Sequence, residues 1–317
     1  MSAVVGLVVL AGCLPRHAIL RRDEVEAHTY AMDVAMDVTT DGLDVPPFTW
    51  RVAGNVATSY ARTFRDGSMG HLVRFSGLRG EVTRDGETVA VPVPFAEATI
   101  EVRAFPDGEI LTVTGGAAWT GENGHFEMLD AVWPALSPHL PGSKDEAAQF
   151  ATSWPAWVPG GARVRNRLEA AWTPPSSAGG TWSYRGTLSG KGGNVELEGT
   201  GTGEVSLMKG DQRIVSRSTF DWDRTTHTRW GAGVSVRQAF AIRGELAHVG
   251  TEPAPPLDMP VTSDDRAADA LPLRLRDGRV VQDAASAPTP ALPFVLAPGD
   301  LGDDARAALR ARIDGTW

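Results

Sequence analysis

The chain has 317 residues, a formal net charge of −9, and 42% hydrophobic residues, which is a globular composition. The acidic balance argues against a nucleic-acid partner, because phosphate neutralisation needs clustered Lys and Arg. The single cysteine, Cys13, excludes an internal disulfide, so stability must come from a buried core, to which ten Trp and ten Phe can contribute.

The first apolar run is Ala3–Cys13, AVVGLVVLAGC. It is shorter than the roughly 20 residues that a membrane-spanning helix needs but suits an export signal. Its last four residues, Leu10–Cys13, resemble the lipobox of bacterial lipoproteins. The resemblance implies a signal peptide over residues 1–12, cleaved before Cys13, and lipidation of that cysteine as a membrane anchor. Leu14 follows where an Asp would retain such a protein in the inner membrane, which favours the outer membrane facing the periplasm.

Two features leave an alternative open for this segment. No Lys or Arg precedes the apolar run, and Val4, Val5, Val8 and Val9 would also suit a buried β-strand. If the segment is instead a lipoprotein signal, residues 13–28 follow it as a lipidated tether. Its Arg16, Arg21 and Arg22 would lie on anionic headgroups or simply be solvated.

Residues 29–124 are predicted to form a first β half. Thr29–Thr39 alternates apolar and polar residues over eleven positions, the clearest strand in the chain. Asp33 and Asp37 share its polar face, roughly 13 Å apart, too far for a carboxylate dyad. Asp-Gly pairs then favour tight hairpins. They separate predicted strands at Phe48–Phe64, His71–Thr83, Thr88–Pro94, Thr99–Phe105 and Glu109–Thr114.

Residues 125–161 interrupt this pattern and are interpreted as a connection. His125–Leu136 has apolar residues at helical spacing. Ser143 and Glu146 fit a capping box, which predicts a second helix from Lys144 to about Thr152. An aromatic, Pro-rich stretch, Trp154–Gly161, ends the connection.

Residues 162–250 are predicted to form a second β half. Its expected strands are Arg163–Trp172, Thr181–Ser189, Asn194–Gly199, Gly203–Met208, Ile214–Asp223, Thr226–Trp230 and Val234–Val249. Residues 251–317 form a Pro-rich tail, with a predicted hairpin at Leu273–Val281 and a helix at Asp303–Ile313.

Catalytic and cofactor motifs are not found. Gly186–Gly193 lacks the spacing of a phosphate loop and is interpreted as a hairpin turn. His125 and Glu127 resemble part of a zinc deaminase motif, but no downstream cysteine pair could supply the ligands. No metal, cofactor or enzymatic activity is therefore predicted, although a site assembled in three dimensions stays open.

Tryptophans concentrate around the connection and suggest a binding surface. They would line a site for an apolar or sugar ligand, or instead fill the core between the two halves. The candidates are Trp119, Trp133, Trp154, Trp157 and Trp172.

Together these patterns predict a mainly β protein: antiparallel long hairpins in an open or incomplete barrel, with one or two helices between its halves. This shape resembles the LolA/LolB-type half-barrel carriers of bacterial envelopes in architecture alone, and no functional residue is carried over. Two functions follow as expectations: a lipid-anchored envelope protein that binds an apolar ligand or lipid in the β concavity, or a structural lipoprotein that assembles with envelope partners. An envelope hydrolase is a third, less favoured reading.

Overall fold

The structure is a computed structural model that describes residues 26–41, 45–63, 68–93, 99–104, 110–114, 132, 135–136, 149–157, 163–176, 180–192, 194–208, 214–230, 234–253, 274–276 and 279–281. Cys13, the predicted signal and the predicted C-terminal helix lie outside these residues.

Twelve strands form one antiparallel sheet. They are β1 (Glu26–Asp41), β2 (Phe48–Thr63), β3 (Met69–Arg84), β4 (Glu87–Val91), β5 (Thr99–Ala104), β6 (Ile110–Thr114), β7 (Gln149–Trp157), β8 (Arg163–Thr173), β9 (Thr181–Gly192), β10 (Val195–Leu207), β11 (Val215–Trp230) and β12 (Val234–Pro253). A separate small hairpin pairs β13 (Arg274–Arg276) with β14 (Arg279–Val281), as predicted around Asp277-Gly278.

The strand order is β6-β5-β3-β2-β1-β12-β11-β10-β9-β8-β7, with β4 paired to β3. The two β halves are joined where β1 pairs with β12, from Glu26 opposite Pro253 to Asp41 opposite Arg237. The edge strands β6 and β7 have Cα atoms within 8 Å of each other but are not hydrogen-bonded as a pair. The sheet is therefore curled yet open along this seam, which confirms the predicted mainly β, incomplete-barrel fold.

Alternation along the strands places one face of the sheet in the core. In β1 the side chains of Tyr30, Met32, Val34, Met36 and Val38 are all buried, and those between them are only partly buried. A strand that alternates in this way has one apolar face, which must be covered. We call this buried side the concave face and the opposite side the convex face.

Turn chemistry fixes the β3–β4 hairpin. Asp85 and Gly86 both have positive φ, 50° and 83°, as a two-residue turn between twisted strands requires. Two separate strands were predicted in the place of β10 and two in the place of β11, but each of these is one continuous strand. Gly186–Gly193 was expected to be a hairpin turn, but Gly186–Gly192 belong to β9, because they pair with β10 up to Gly192 opposite Val195.

The predicted helix over Lys144–Thr152 is wrong at its C-terminal end. Gln149–Trp157 forms β7, which pairs with β8 from Gln149 opposite Ala171 to Trp157 opposite Arg163. A capping box stabilises a helix locally, but β8 offers this segment a full ladder of backbone hydrogen bonds.

A single hydrophobic cluster spans the concave face from β5, through β1 and β12, to β8. Val132, Ala135 and Leu136 belong to this cluster, have helical backbone conformations and are buried. This segment of the predicted connection therefore covers part of the apolar face; the rest of that predicted helix lies outside the described residues.

Candidate functional site

The concave face has an aromatic cluster on its β8–β11 side. Trp172 stands edge-on to Tyr184 and Trp182, with ring centroids 5.0 and 6.3 Å apart, and Phe220 packs against Trp222 at 5.9 Å. Four of the five rings are buried, and Tyr184 is partly buried against them. Burial of the Tyr184 hydroxyl raises its pKa to about 12, so the cluster carries no charge at neutral pH.

Three of these rings pack directly against glycines of neighbouring strands. Gly201 lies beneath Trp222, whose Cδ1 would be 2.8 Å from any added Cβ, and Gly203 lies beneath the Tyr184 ring. Gly244 of β12 lies beneath Phe220 in the same way. Because glycine has no side chain, the bulky rings can lie close to the backbone of the curved sheet here.

Only one predicted binding tryptophan can be placed at this surface. Trp172 belongs to the aromatic cluster. Trp154 and Trp157 lie in β7 but their side chains are not among those described, and Trp119 and Trp133 lie outside the described residues. Sequence reasoning missed Trp182 and Trp222, although their alternation with Tyr184 and Phe220 along predicted strands placed them on one face.

Polar groups line the concave face where β1 begins and β12 ends. The rings of His28 and His248 are 5.8 Å apart, and the Thr251 hydroxyl lies 3.3 Å from His28 Nδ1 and 3.4 Å from His248 Nε2. His248 also stands edge-on to Tyr30 at 5.5 Å. Partial burial lowers the pKa of His248 below its usual value.

His71 of β3 lies near the same end, two strands away. It pairs with Tyr60 of β2, and the two rings meet edge-on with centroids 6.2 Å apart. The side chain is fully buried, and burial lowers its pKa to about 3. The imidazole is therefore neutral in the folded protein at physiological pH.

The opposite end of the concave face holds a buried cation. Arg224 is 2% exposed, and its guanidinium carbon lies 5.2 Å from the centre of the Phe240 ring, a cation–π arrangement. Beside it, Gln238 donates a hydrogen bond to the Thr40 hydroxyl at 2.8 Å. The concave face is thus apolar along its length, with different polar groups at its two ends.

The convex face is covered by charged pairs. Asp33 accepts a hydrogen bond from Arg51 Nε at 2.8 Å, and Asp37 accepts from Thr49 at 2.6 Å and from Arg243 at 3.1 Å. Arg217 binds Glu245 through two nitrogens, at 2.8 and 2.9 Å. Asp33 and Asp37 therefore lie on a solvated polar face, as predicted, and the structure adds that both are ion-paired there.

The described residues contain neither a metal-binding cluster nor a membrane-spanning helix. No group of three His, Cys, Asp or Glu side chains among them is placed to hold a metal ion. None of these residues belongs to a helix long and apolar enough to cross a membrane.

Comparison with known proteins gives no family. No protein-family description and no curated protein sequence matches the chain. Among solved structures, a lipovitellin structure entitled "Lipid-protein interactions in lipovitellin" aligns with 87% of the chain at 8% identity and a TM-score of 0.44. The chain spans only 28% of that protein. Ail, the attachment invasion locus protein of Yersinia pestis, aligns with 71% of the chain at 8% identity and a TM-score of 0.13.

Proposed function

We propose that this chain is a lipid-anchored envelope protein that holds an apolar ligand or lipid against the concave face of its sheet. The observation that carries the proposal is the open seam between β6 and β7, which do not pair with each other, in a sheet whose concave face is apolar between its two polar ends. A closed and fully packed barrel would give a ligand no path in, whereas an open edge can part without breaking ladder hydrogen bonds.

The charge distribution supports the same proposal. Ion pairs cover the convex face, and the concave face carries Met32, Met36 and a large aromatic cluster. Flexible Met side chains and flat rings adapt readily to apolar ligands of different shape. A ligand would take the place of groups that now cover this face, such as the segment containing Val132 and Leu136.

Membrane attachment rests on Cys13 and the preceding lipobox-like residues. Metabolic labelling with an alkyne-bearing palmitate analogue tests it: the wild type should incorporate label and Cys13→Ser should not. Labelling of both proteins, or of neither, would contradict the anchor.

Ligand binding is tested on a soluble chain that starts at Pro15 and is purified without detergent. Mass spectrometry of its organic extract should find one apolar molecule in stoichiometric amount. A stable protein with an empty extract that also takes up no added lipid would contradict the carrier role.

An assembly lipoprotein is a second candidate, favoured by the exposed strand β4. Its residues Glu87–Ala90 are exposed, Val89 by 60%, and no described strand pairs with its second edge. Such an edge can accept a strand from a partner. Val89→Lys should then abolish co-purification of envelope partners without unfolding the sheet; unchanged co-purification would exclude this edge as the interface.

A further inference from the structure

His71 faces the proposed ligand-binding side of the sheet. Val56 pairs with Phe75, Thr58 with Val73, and Tyr60 with His71, without a bulge between them. Residues two positions apart along a strand lie on the same face, and so do residues directly opposite each other on paired strands. Val56, Val73 and Phe75 belong to the core cluster. The His71 side chain therefore points into the concavity.

Both ring nitrogens of His71 are buried, and neither makes a hydrogen bond to any residue that the structure describes. The side chain is 0% exposed, so bulk water does not reach it. Leaving a buried donor and a buried acceptor unsatisfied costs folding free energy, and buried polar groups in proteins are nearly always satisfied by protein, water or ligand. His71 therefore needs a hydrogen-bonding partner that the described part of the chain does not supply.

The protonation state restricts the chemistry of that partner. Because burial keeps the imidazole neutral, one nitrogen donates and the other accepts. Arg103, on the neighbouring strand β5, alternates with the core residues Val102 and Ala104 and so belongs to the convex side. An anionic group would be buried here without a cation among the described concave-face residues around His71, at a high electrostatic cost.

An apolar track leads away from His71. Val73, Phe75, Leu78 and Val82 follow it along β3 and are all buried in the core cluster. The stretch from His71 to Val82 extends over roughly 35 Å of strand, enough for a long alkyl chain. Tyr60, only partly buried beside His71, marks the polar end of the track.

We propose that His71 binds the polar head of an uncharged, single-chain amphiphile, bearing a hydroxyl or ester group, whose tail lies along β3. This inference rests on the proposed function and specifies its ligand class. It excludes phosphate-bearing lipids as the preferred ligand and fixes the orientation of the bound molecule, with its head towards Tyr60 and its tail towards Val82.

The test compares three ligands with one tail. The full chain is loaded with the uncharged fluorophore N-phenyl-1-naphthylamine, which is then displaced with dodecane, 1-dodecanol or dodecyl phosphate. Dodecanol should bind about tenfold tighter than dodecane, as one buried hydrogen bond predicts, and tighter than dodecyl phosphate. His71→Phe should reduce the dodecanol preference to within about twofold.

His227→Phe is the matched control, because His227 lies on the convex face with a 38% exposed side chain. It should keep the wild-type preference. If the fluorophore does not bind at all, the proposed function fails and this inference with it. If the fluorophore binds but dodecane and dodecanol compete equally, or dodecyl phosphate competes best, only the head-group inference is overturned.

A measurement on the wild type keeps the inference testable if His71→Phe does not fold. The ring nitrogens of His71 are followed by ¹⁵N NMR while dodecanol is added. Both resonances should shift and saturate together with fluorophore displacement. Resonances that stay fixed while dodecanol binds would show that an enclosed water, and not the ligand, satisfies His71.

Discussion

Trp222 donates a hydrogen bond from its indole nitrogen to the hydroxyl oxygen of Tyr184, at 3.1 Å. The two residues lie on β11 and β9, and the contact crosses β10 above Gly201 and Gly203. Three strands are thus tied together on the concave face by side chains as well as by backbone ladders. The contact also holds two rings of the aromatic cluster in fixed positions, where a ligand would meet a preformed surface.

Tyr184→Phe should destabilise the protein by about 1 kcal/mol, because it removes this hydrogen bond while preserving the ring. Urea denaturation measures the change in the free energy of unfolding. Tyr30→Phe is the control: Tyr30 is also buried, but its hydroxyl makes no hydrogen bond to the described residues. Equal effects of the two substitutions would show that the Trp222 contact contributes nothing specific.

Gly244→Ala should destabilise the sheet by about 1–3 kcal/mol, because its Cβ would overlap the buried Phe220 ring. Gly250→Ala, on the same strand β12, meets no atom within 4 Å and should be neutral or slightly stabilising. Thermal unfolding of the two variants makes the comparison. A wild-type midpoint for Gly244→Ala would mean that Phe220 can move away freely.

Hairpins and alternation made most of the sheet predictable from sequence. The expected strand Phe48–Phe64 differs from β2 by one residue, because local alternation and turn residues determine where such strands end. The division of β10 at Gly199–Gly203 was wrong for a physical reason. Glycine favours no strand locally. Within β10, the Trp222 and Tyr184 rings pack on Gly201 and Gly203, and the β11 backbone lies close to Gly199.

The candidate site was less predictable, because it depends on which strands become neighbours. Trp172 and Trp182 lie on the consecutive strands β8 and β9, but Trp222 of β11 joins their cluster only because β11, β10, β9 and β8 are neighbours in the sheet. His71 carried no signal in the sequence, where it was one of seven scattered histidines. Its burial follows from the register of β2 and β5 on either side of β3.

Arg243→Gln should change stability by only about 0.5 kcal/mol or less, although Arg243 lies 3.1 Å from Asp37 and 3.5 Å from Asp221. All three side chains are about half exposed, so water and salt screen the attraction. The small difference from wild type should vanish in about 1 M NaCl. A loss of several kcal/mol in urea denaturation would show that the convex ion pairs are structurally essential.

Protonation of His71 should make the fold sensitive to acid. Its pKa falls from 6.5 to about 3 on folding, so below pH 6.5 the unfolded chain binds a proton that the folded chain does not. Stability from this group is therefore fully present above pH 6.5 and is lost as the pH falls towards 3. Between about pH 8 and pH 5 the loss should reach about 2 kcal/mol, measured by urea denaturation at each pH.

His71→Phe isolates this contribution, because the acidic side chains that also titrate are the same in both proteins. The wild type should lose about 2 kcal/mol more than the variant between those pH values. Bound ligand should enlarge this difference in lost stability, because an imidazole that both donates and accepts a hydrogen bond resists protonation more strongly than one without these bonds. If stability falls equally with pH in both proteins, His71 must be protonated in the folded protein as easily as in the unfolded chain. Water would then have to reach the imidazole ring.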